Sequence, residues 1–577
     1  MPKTLILLML AAASGALAAP PVRTVLPSEL FLAGGSLRTC SDLAPGACRT
    51  PARGGVMRTP PQYRVDAEGT ARALDPLLWK DRTEAPARAE LAALLRALRR
   101  NAAWDRDAIE DAMDAHCAQR ACRRDPAARP WRRLLDDERA ALLSALEIPQ
   151  MHDGQRLRER ARPGDSIEGA GVDVLRAFIA AAAKRSGAAP PRIAIVTASS
   201  QDPFEAVDFY LDTFRQLGAD ARWWPVDAAL NAAVFQGGEC DGLEALRRGT
   251  LRIAARDRVY PDLARQQQQA CRDAAATQNL PREVHGIFFA GGDQWLHRQA
   301  FFDRDDRPNA WLLALREAHA RGDLVVGGTS AGTAVQGGAA MLSNGDSAQA
   351  LVDGARARAP MQPGCGRARR CADGLSEDTL TYWPAGGLGL LPGWSVDTHF
   401  SERARELRLL VLMHAAQADL AMGVDETTAV HVSRLGGRTR LEAIGARGAW
   451  VFERGQRGAD GSLSARAHYL VPGAVLELTP GGLEPMAPLP STDIVLHFGP
   501  EAEDALADRA LRSASRSLSG CPDGNAARTL RAGAGRVTLA CTPATVAWSH
   551  SAQPSLLAER LGILNFDFRY EPGTTTP

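Results

Sequence analysis

The chain is short of several things that would have decided its class at once. Of its 68 basic residues only Lys3, Lys80 and Lys184 are lysines, and they stand against 67 acidic residues, for a net charge of +1. No global field therefore draws it to nucleic acid or to an anionic membrane. The arginine bias reads as codon usage rather than recruitment for phosphate. There is no C-x-x-C and no H-E-x-x-H, so the common zinc signatures are missing and no metal is expected. Beyond the first residues, no stretch of 18 uninterrupted apolar residues occurs, which leaves no candidate membrane span.

What is present begins at the amino terminus. Lys3 precedes the apolar run Leu5–Ala13 and then Ala16-Leu17-Ala18, a small-x-small pattern that reads as a signal peptide over residues 1–18 and a secreted or periplasmic destination. The ten cysteines fall into close pairs, Cys40/Cys48, Cys117/Cys122, Cys240/Cys271, Cys365/Cys371 and Cys521/Cys541. In an oxidising compartment that arrangement favours nearest-neighbour disulfides.

With 577 residues, 45% of them hydrophobic, the chain can bury large cores. Leu30–Gly35 reads as a buried strand ending in a glycine turn. Residues 70–165 have helical spacing, as in Leu91, Leu94, Leu95 and Leu98, and read as a helical insertion. From about residue 170 the rhythm is strand, loop, helix: Arg192–Ala198, then a helix with Val207, Tyr210, Leu211, Phe214 and Leu217 on one face, then strands Gly286–Ala290 and Leu324–Gly327. This predicts an α/β fold with a mostly parallel central sheet covered by helices on both faces, and sites at the carboxyl ends of its strands. After Val430, short strands are expected at Val430–Ser433, Ala449–Glu453, Tyr469–Pro472 and Ile494–Phe498.

The strongest chemical signal is Gly328-Thr329-Ser330-Ala331-Gly332, set between a strand and a helix. A G-x-S-x-G turn there is a nucleophile elbow, which lifts the serine clear of the sheet. Serine needs a base, and among eleven histidines His399 stands out, because Val396–Arg403 follows an apolar approach and precedes an amphipathic helix. His297, His319 and His414 fall inside predicted helices, and His431, His468 and His497 in late strands. Glu426, after another short strand, is the candidate for the carboxylate that orients the imidazole, with Asp425 the neighbouring alternative. A second glycine turn, Phe288–Gln294, allows close backbone approach to a ligand. It is not a G-x-G-x-x-G loop, so no nucleotide cofactor is assigned.

Five blocks in order, F-F-A-G-G-D-Q at 288–294, G-G-T-S-A-G at 327–332, G-L-G-L-L-P-G at 387–393, D-T-H-F-S-E-R at 397–403 and G-V-D-E-T-T-A at 423–429, together resemble the cyanophycinase family of serine peptidases. The resemblance covers Leu30–Gly35 and about 167–498, which divides the chain into a core of 28–40 plus 166–500, an insertion 41–165 and an extension 501–577. It implies a fold similar to class I glutamine amidotransferases and often a homodimer. It also implies Ser330 as nucleophile, His399 as base and Glu426 as third member, with Gln294, Asp397, Arg403, Arg405 and Arg408 in the substrate pocket. Thr398 stands where better-known members carry glutamine. The implied substrate is cyanophycin, a poly-aspartate carrying arginine on each side chain, hydrolysed to β-Asp-Arg dipeptides. On this reading Arg403, Arg405 and Arg408 meet carboxylates, Asp397 meets a guanidinium, and N–H groups of Gly292 and Ala331 hold the oxyanion. Other isoaspartyl or α-aspartyl peptides, a non-catalytic binding protein on the same fold, and a lipase-like esterase using His497 or His550 are the competing readings.

Overall fold

A computed structural model describes residues 26–51, 54–79, 85–117, 120–187, 189–372, 374–486, 503–520, 526–549 and 561–573. The expected signal peptide, the strand at Ile494–Phe498, His497, His550 and Cys521 lie outside them. Among the described residues no helix is long and apolar enough to cross a membrane.

Two sheets organise the fold. In the first, β1 (Ser28–Ala33), β2 (Arg192–Val196), β3 (Asp220–Trp223), β4 (Gly286–Phe289) and β5 (Val325–Thr329) run parallel in the order β1-β5-β4-β2-β3. All six residues of β1 are buried, as a strand covered on both faces requires. The helix Val207–Gln216 packs on this half, with Phe214 in the apolar cluster and Tyr210 and Leu211 against it.

The sheet does not stay parallel. The second sheet begins with β6 (Trp394–Thr398) and β7 (Leu420–Val424), paired in parallel. The chain then crosses back through Asp425-Glu426-Thr427 to β8 (Thr428–Leu435), which pairs antiparallel with the other edge of β1. There β9 (Arg438–Gly445) adds antiparallel to β8. The first sheet is thus a mixed one of nine strands rather than the mostly parallel sheet expected. Where its late strands are joined by a tight turn, as β8 and β9 are, they can only be antiparallel neighbours.

β10 (Ala449–Arg457) and β11 (Leu463–Leu470) continue the second sheet from β7, whereas β12 (Val475–Thr479) and β13 (Gly482–Pro485) complete the first. The 501–577 segment joins the second sheet directly: its last strand, Leu561–Glu571, pairs with β11 and buries Phe566 and Phe568 against Trp450.

Residues 41–165 carry helices Ala67–Ala73, Ala85–Ala97, Arg106–Ala115 and Asp136–Leu146. Leu91, Leu94 and Leu95 are buried as their spacing predicts, in a cluster with Trp79, Ile109, Met113, Trp131 and Leu142. The arginine-rich loop between Cys365 and Cys371 docks on this segment. Arg367 donates to the Leu134 carbonyl at 2.7 Å, and Arg369 and Arg370 pair with Asp125 and Glu138 at 2.9 and 2.6 Å.

The disulfides Cys40–Cys48, Cys117–Cys122, Cys240–Cys271 and Cys365–Cys371 are formed, and Cys541 is also disulfide-bonded. Cys40 and Cys48 lie beside Asp165 within metal-ligand distance, but their sulfurs are bonded to each other and are not thiolates.

Candidate active site

The end of β1 is the hub of the site. Register places Ala33 beside Thr329 on one side and Ala429 on the other. The Ala33 carbonyl accepts the Ser330 N–H at 3.0 Å, the Gly34 carbonyl accepts the His399 N–H at 2.8 Å, and the Gly35 carbonyl accepts the Thr427 N–H at 3.0 Å. Three loops that are distant in sequence are thereby tied to three consecutive residues.

Ser330 follows β5 with φ 53° and ψ −118°, the strained turn that a nucleophile elbow needs. The turn is possible because Gly328 and Gly332 pack back to back: a Cβ on Gly328 would lie 2.1 Å from the Gly332 carbonyl oxygen. Gly35, at φ 112°, lies under the histidine, and a Cβ there would stand 2.3 Å from the imidazole.

The side chains then form a continuous relay. His399 Nε2 is 2.8 Å from Ser330 Oγ, and His399 Nδ1 is 2.7 Å from Glu426 Oε1. Burial, and then the nearby Arg403 and Arg405, hold the imidazole below its ordinary pKa in spite of the Glu426 hydrogen bond. Burial pushes Glu426 up, but hydrogen bonds from His399 and Ser36 outweigh it and leave its carboxyl below the usual range. A neutral base hydrogen-bonded to the serine and an ionised carboxylate behind it can remove a proton from the hydroxyl.

Asp425 does not reach the histidine. It is fully buried, with Oδ1 accepting the Ser401 N–H at 2.9 Å and Oδ2 accepting the Tyr469 hydroxyl and Arg512, each at 2.9 Å. Other histidines are engaged elsewhere. His297 contacts the Ala290 carbonyl at 2.9 Å, and its pKa is pushed down to about 4 by burial. Both ring nitrogens of His414 meet backbone carbonyls, and His431 pairs with Glu29.

The expected pocket residues divide by environment. Arg403 is exposed beside His399, and Arg405 is half-buried, donating to the Thr398 carbonyl at 2.7 Å. Burial, with Arg408 adding to it, pushes the Arg405 pKa down to about 9. Asp397 and Arg408 are instead spent on each other. Both are buried, and Arg408 Nε and Nη2 bond the two Asp397 oxygens at 2.8 and 2.7 Å while Nη1 reaches the Gly345 carbonyl. The expectation that they meet a carboxylate and a guanidinium of opposite sign is corrected accordingly: this is an internal bidentate pair behind the site. Thr398 is buried and donates its N–H to Asp397 at 2.8 Å. Gln294 is held by its amide nitrogen on the carbonyls of Leu342 and Ser343, at 2.7 and 2.8 Å. Gly292 is exposed at φ 146°, and Ala331 opens the short helix that follows the nucleophile.

Removing one partner of the buried pair strands a charge. Arg408→Met is expected to cost about 3–5 kcal/mol of stability, read as a fall in unfolding midpoint, while Asp397→Leu/Arg408→Met recovers most of it. An unchanged midpoint in the single variant would show that the pair does not hold this region together.

A cavity of about 460 Å³ opens beside Ser330, lined by Leu37, Leu43, Leu175, Phe209, Tyr210 and the carboxylate of Glu159, among others. Its wall includes residues 36–44, so the start of the insertion shapes the space next to the nucleophile. Sequence reasoning passed over Ser36, Glu402 and Arg512. Glu402 stood inside a quoted motif and Ser36 beside a glycine turn, whereas nothing local marked Arg512.

No family model matches the chain. The sequence comparison places its partial likeness among peptidases. Two cyanophycinases, from Synechococcus elongatus and Thermosynechococcus vestitus, are each 34% identical over 147 residues, which is 25% of this chain and 34% of theirs. The chain thus spans about a third of the length of these curated relatives. Among solved structures, a peptidase from an acI-B1 Actinobacterium matches at 16% identity and a TM-score of 0.28, over 48% of this chain and 84% of that one.

Proposed function

We propose that the chain is an exported serine-type peptidase that hydrolyses cyanophycin to β-Asp-Arg dipeptides. The observation that carries this reading is the hydrogen-bonded relay Ser330–His399–Glu426, together with the partial likeness to cyanophycinases. Ser330 Oγ attacks the backbone carbonyl that joins one β-Asp-Arg unit to the next as His399 Nε2 takes its proton, and the N–H groups of Ala331 and Gly292 receive the negative charge on the carbonyl oxygen. The protonated imidazole, stabilised by Glu426, gives its proton to the leaving amine. Water, activated by the same imidazole, then releases the acyl group.

The division of charge around the site supports a substrate with free carboxylates. Arg403 and Arg405 line the approach to His399, and planar guanidinium forks suit carboxylates. Glu159 and Arg38 both line the cavity next to Ser330, and on this reading Glu159 faces the cationic end of the substrate and Arg38 a carboxylate. The disulfides and the amino-terminal segment support action outside the cytoplasm, on polymer released from lysed cells.

The test compares clearing of purified cyanophycin with hydrolysis of β-Asp-X and α-Asp-X dipeptides. Release of β-Asp-Arg from the polymer is expected. Cleavage of α-Asp-X dipeptides with the polymer untouched would replace cyanophycin by a general aspartyl peptidase substrate.

A further inference from the structure

The carboxylate of Glu426 can serve His399 only if its backbone is held, and what holds it lies behind the site. The Glu426 N–H donates to Glu402 Oε2 at 3.0 Å. The preceding residue, Asp425, is anchored through Ser401 and Tyr469. Glu402 and Asp425 are therefore two buried carboxylates flanking one peptide, 7% and 0% exposed. Two such anions repel each other in a medium that screens poorly, and burial, with Asp425 adding to it, holds the Glu402 carboxyl above its usual range. Glu406, fully buried nearby, is pushed up to about 8 by burial, which disfavours a third negative charge beside them.

A buried cation bridges the two anions. Arg512 Nη1 donates to Glu402 Oε1 at 2.6 Å and to Asp425 Oδ2 at 2.9 Å, and the side chain is 4% exposed. Arg447, the other cation near Glu402, is 3.6 Å away and 38% exposed. Arg512 belongs to the helix Ala510–Arg516, and the N–H of the residue before that helix, Arg509, donates to the Ser401 carbonyl at 2.6 Å. The same segment thus grips the loop that carries His399 and the loop that carries Glu426.

We propose that Arg512 is a positioning residue of the triad: by bridging Glu402 and Asp425 it fixes the 425–426 peptide, and through it the Glu426 carboxylate against His399. This rests on the Ser330 nucleophile reading, and it gives the 501–577 segment a part in catalysis that its sequence does not announce. A cation supplied from outside the conventional core completes the site.

The test uses the full-length protein and a fluorophosphonate probe, which reports Ser330 reactivity without any peptide. In Arg512→Met the inactivation rate constant is expected to fall roughly 10- to 100-fold, the range seen when an outer-shell partner is lost, with the apparent binding constant of the probe within twofold of wild type. Arg512→Lys, which keeps the charge, is expected to recover most of the rate. Arg512→Met/Glu402→Gln removes one charge of each sign and guards against loss of folding; it is expected to remain folded and slow. Wild-type labelling in a folded Arg512→Met, or full reactivity in the double variant, would overturn the proposal and leave the Ser330 reading standing. Failure of the wild-type protein to label at Ser330 would remove that reading, and the proposal with it.

Discussion

Ser330→Ala is expected to lower kcat for peptide hydrolysis by about 10⁴- to 10⁶-fold while leaving the unfolding midpoint close to wild type, because on the proposed mechanism the nucleophile and its base act as one unit. The hydroxyl is a half-buried group at the end of β5 with its hydrogen bond aimed at His399, and it carries little of the packing. His399→Ala is expected to cost about as much, and the double variant hardly more than either single one. That non-additivity, measured as initial rates on one substrate, is the diagnostic result. Substantial activity in Ser330→Ala, or losses that multiply in the double variant, would mean that the two side chains do not share a step.

Glu426→Gln is expected to reduce kcat by about 10²- to 10⁴-fold. A glutamine at this position no longer stabilises the imidazolium, and its amide can present a donor to Nδ1 and so favour the wrong tautomer. The pH profile separates this from simple damage. His399 acts as base only when neutral, so rate is lost as the pH falls through its folded-state pKa, which burial already holds below the ordinary value. Glu426 is the group that raises that pKa, and its neutralisation is expected to move the acid limb of kcat/KM to still lower pH. A limb that moves up, or stays in place, would argue that Glu426 does not serve the histidine. Asp425→Asn is expected to act differently, through stability, because Asp425 is fully buried and bonded to Ser401, Tyr469 and Arg512 rather than to His399.

Much of the site was legible because its parts are local motifs. A serine in a glycine turn after Val325–Thr329, a histidine just after Trp394–Thr398 and a glutamate just after Leu420–Val424 all sit where strands end, and strand endings can be read from apolar runs. The choice between Glu426 and Asp425 could not be read in this way. It depends on which side chain of a short crossover turns toward the site, and that is decided by Gly34 and Gly35 taking up the 427–428 backbone. The roles of Asp397 and Arg408 were out of reach for a similar reason: eleven positions apart, across the end of a strand and the first turns of a helix, they look like two free charges until the fold folds them together. The mixed sheet was missed because hairpin strands after residue 428 add to β1, laid down some 400 residues earlier. Arg512 gave no signal at all, since one arginine among several in a short alanine- and serine-rich helix is ordinary.

The position of β1 bears on how the protein is made. Its partners are Val325–Thr329 on one edge and Thr428–Leu435 on the other, so a strand near the amino terminus that ends fully buried stays without its sheet neighbours until most of the chain has been synthesised. Until then it is an unpaired edge of the kind that associates with other chains. The helical cluster of 41–165, which apart from Ala254 draws its buried residues from that segment, needs none of those late strands and can form before them.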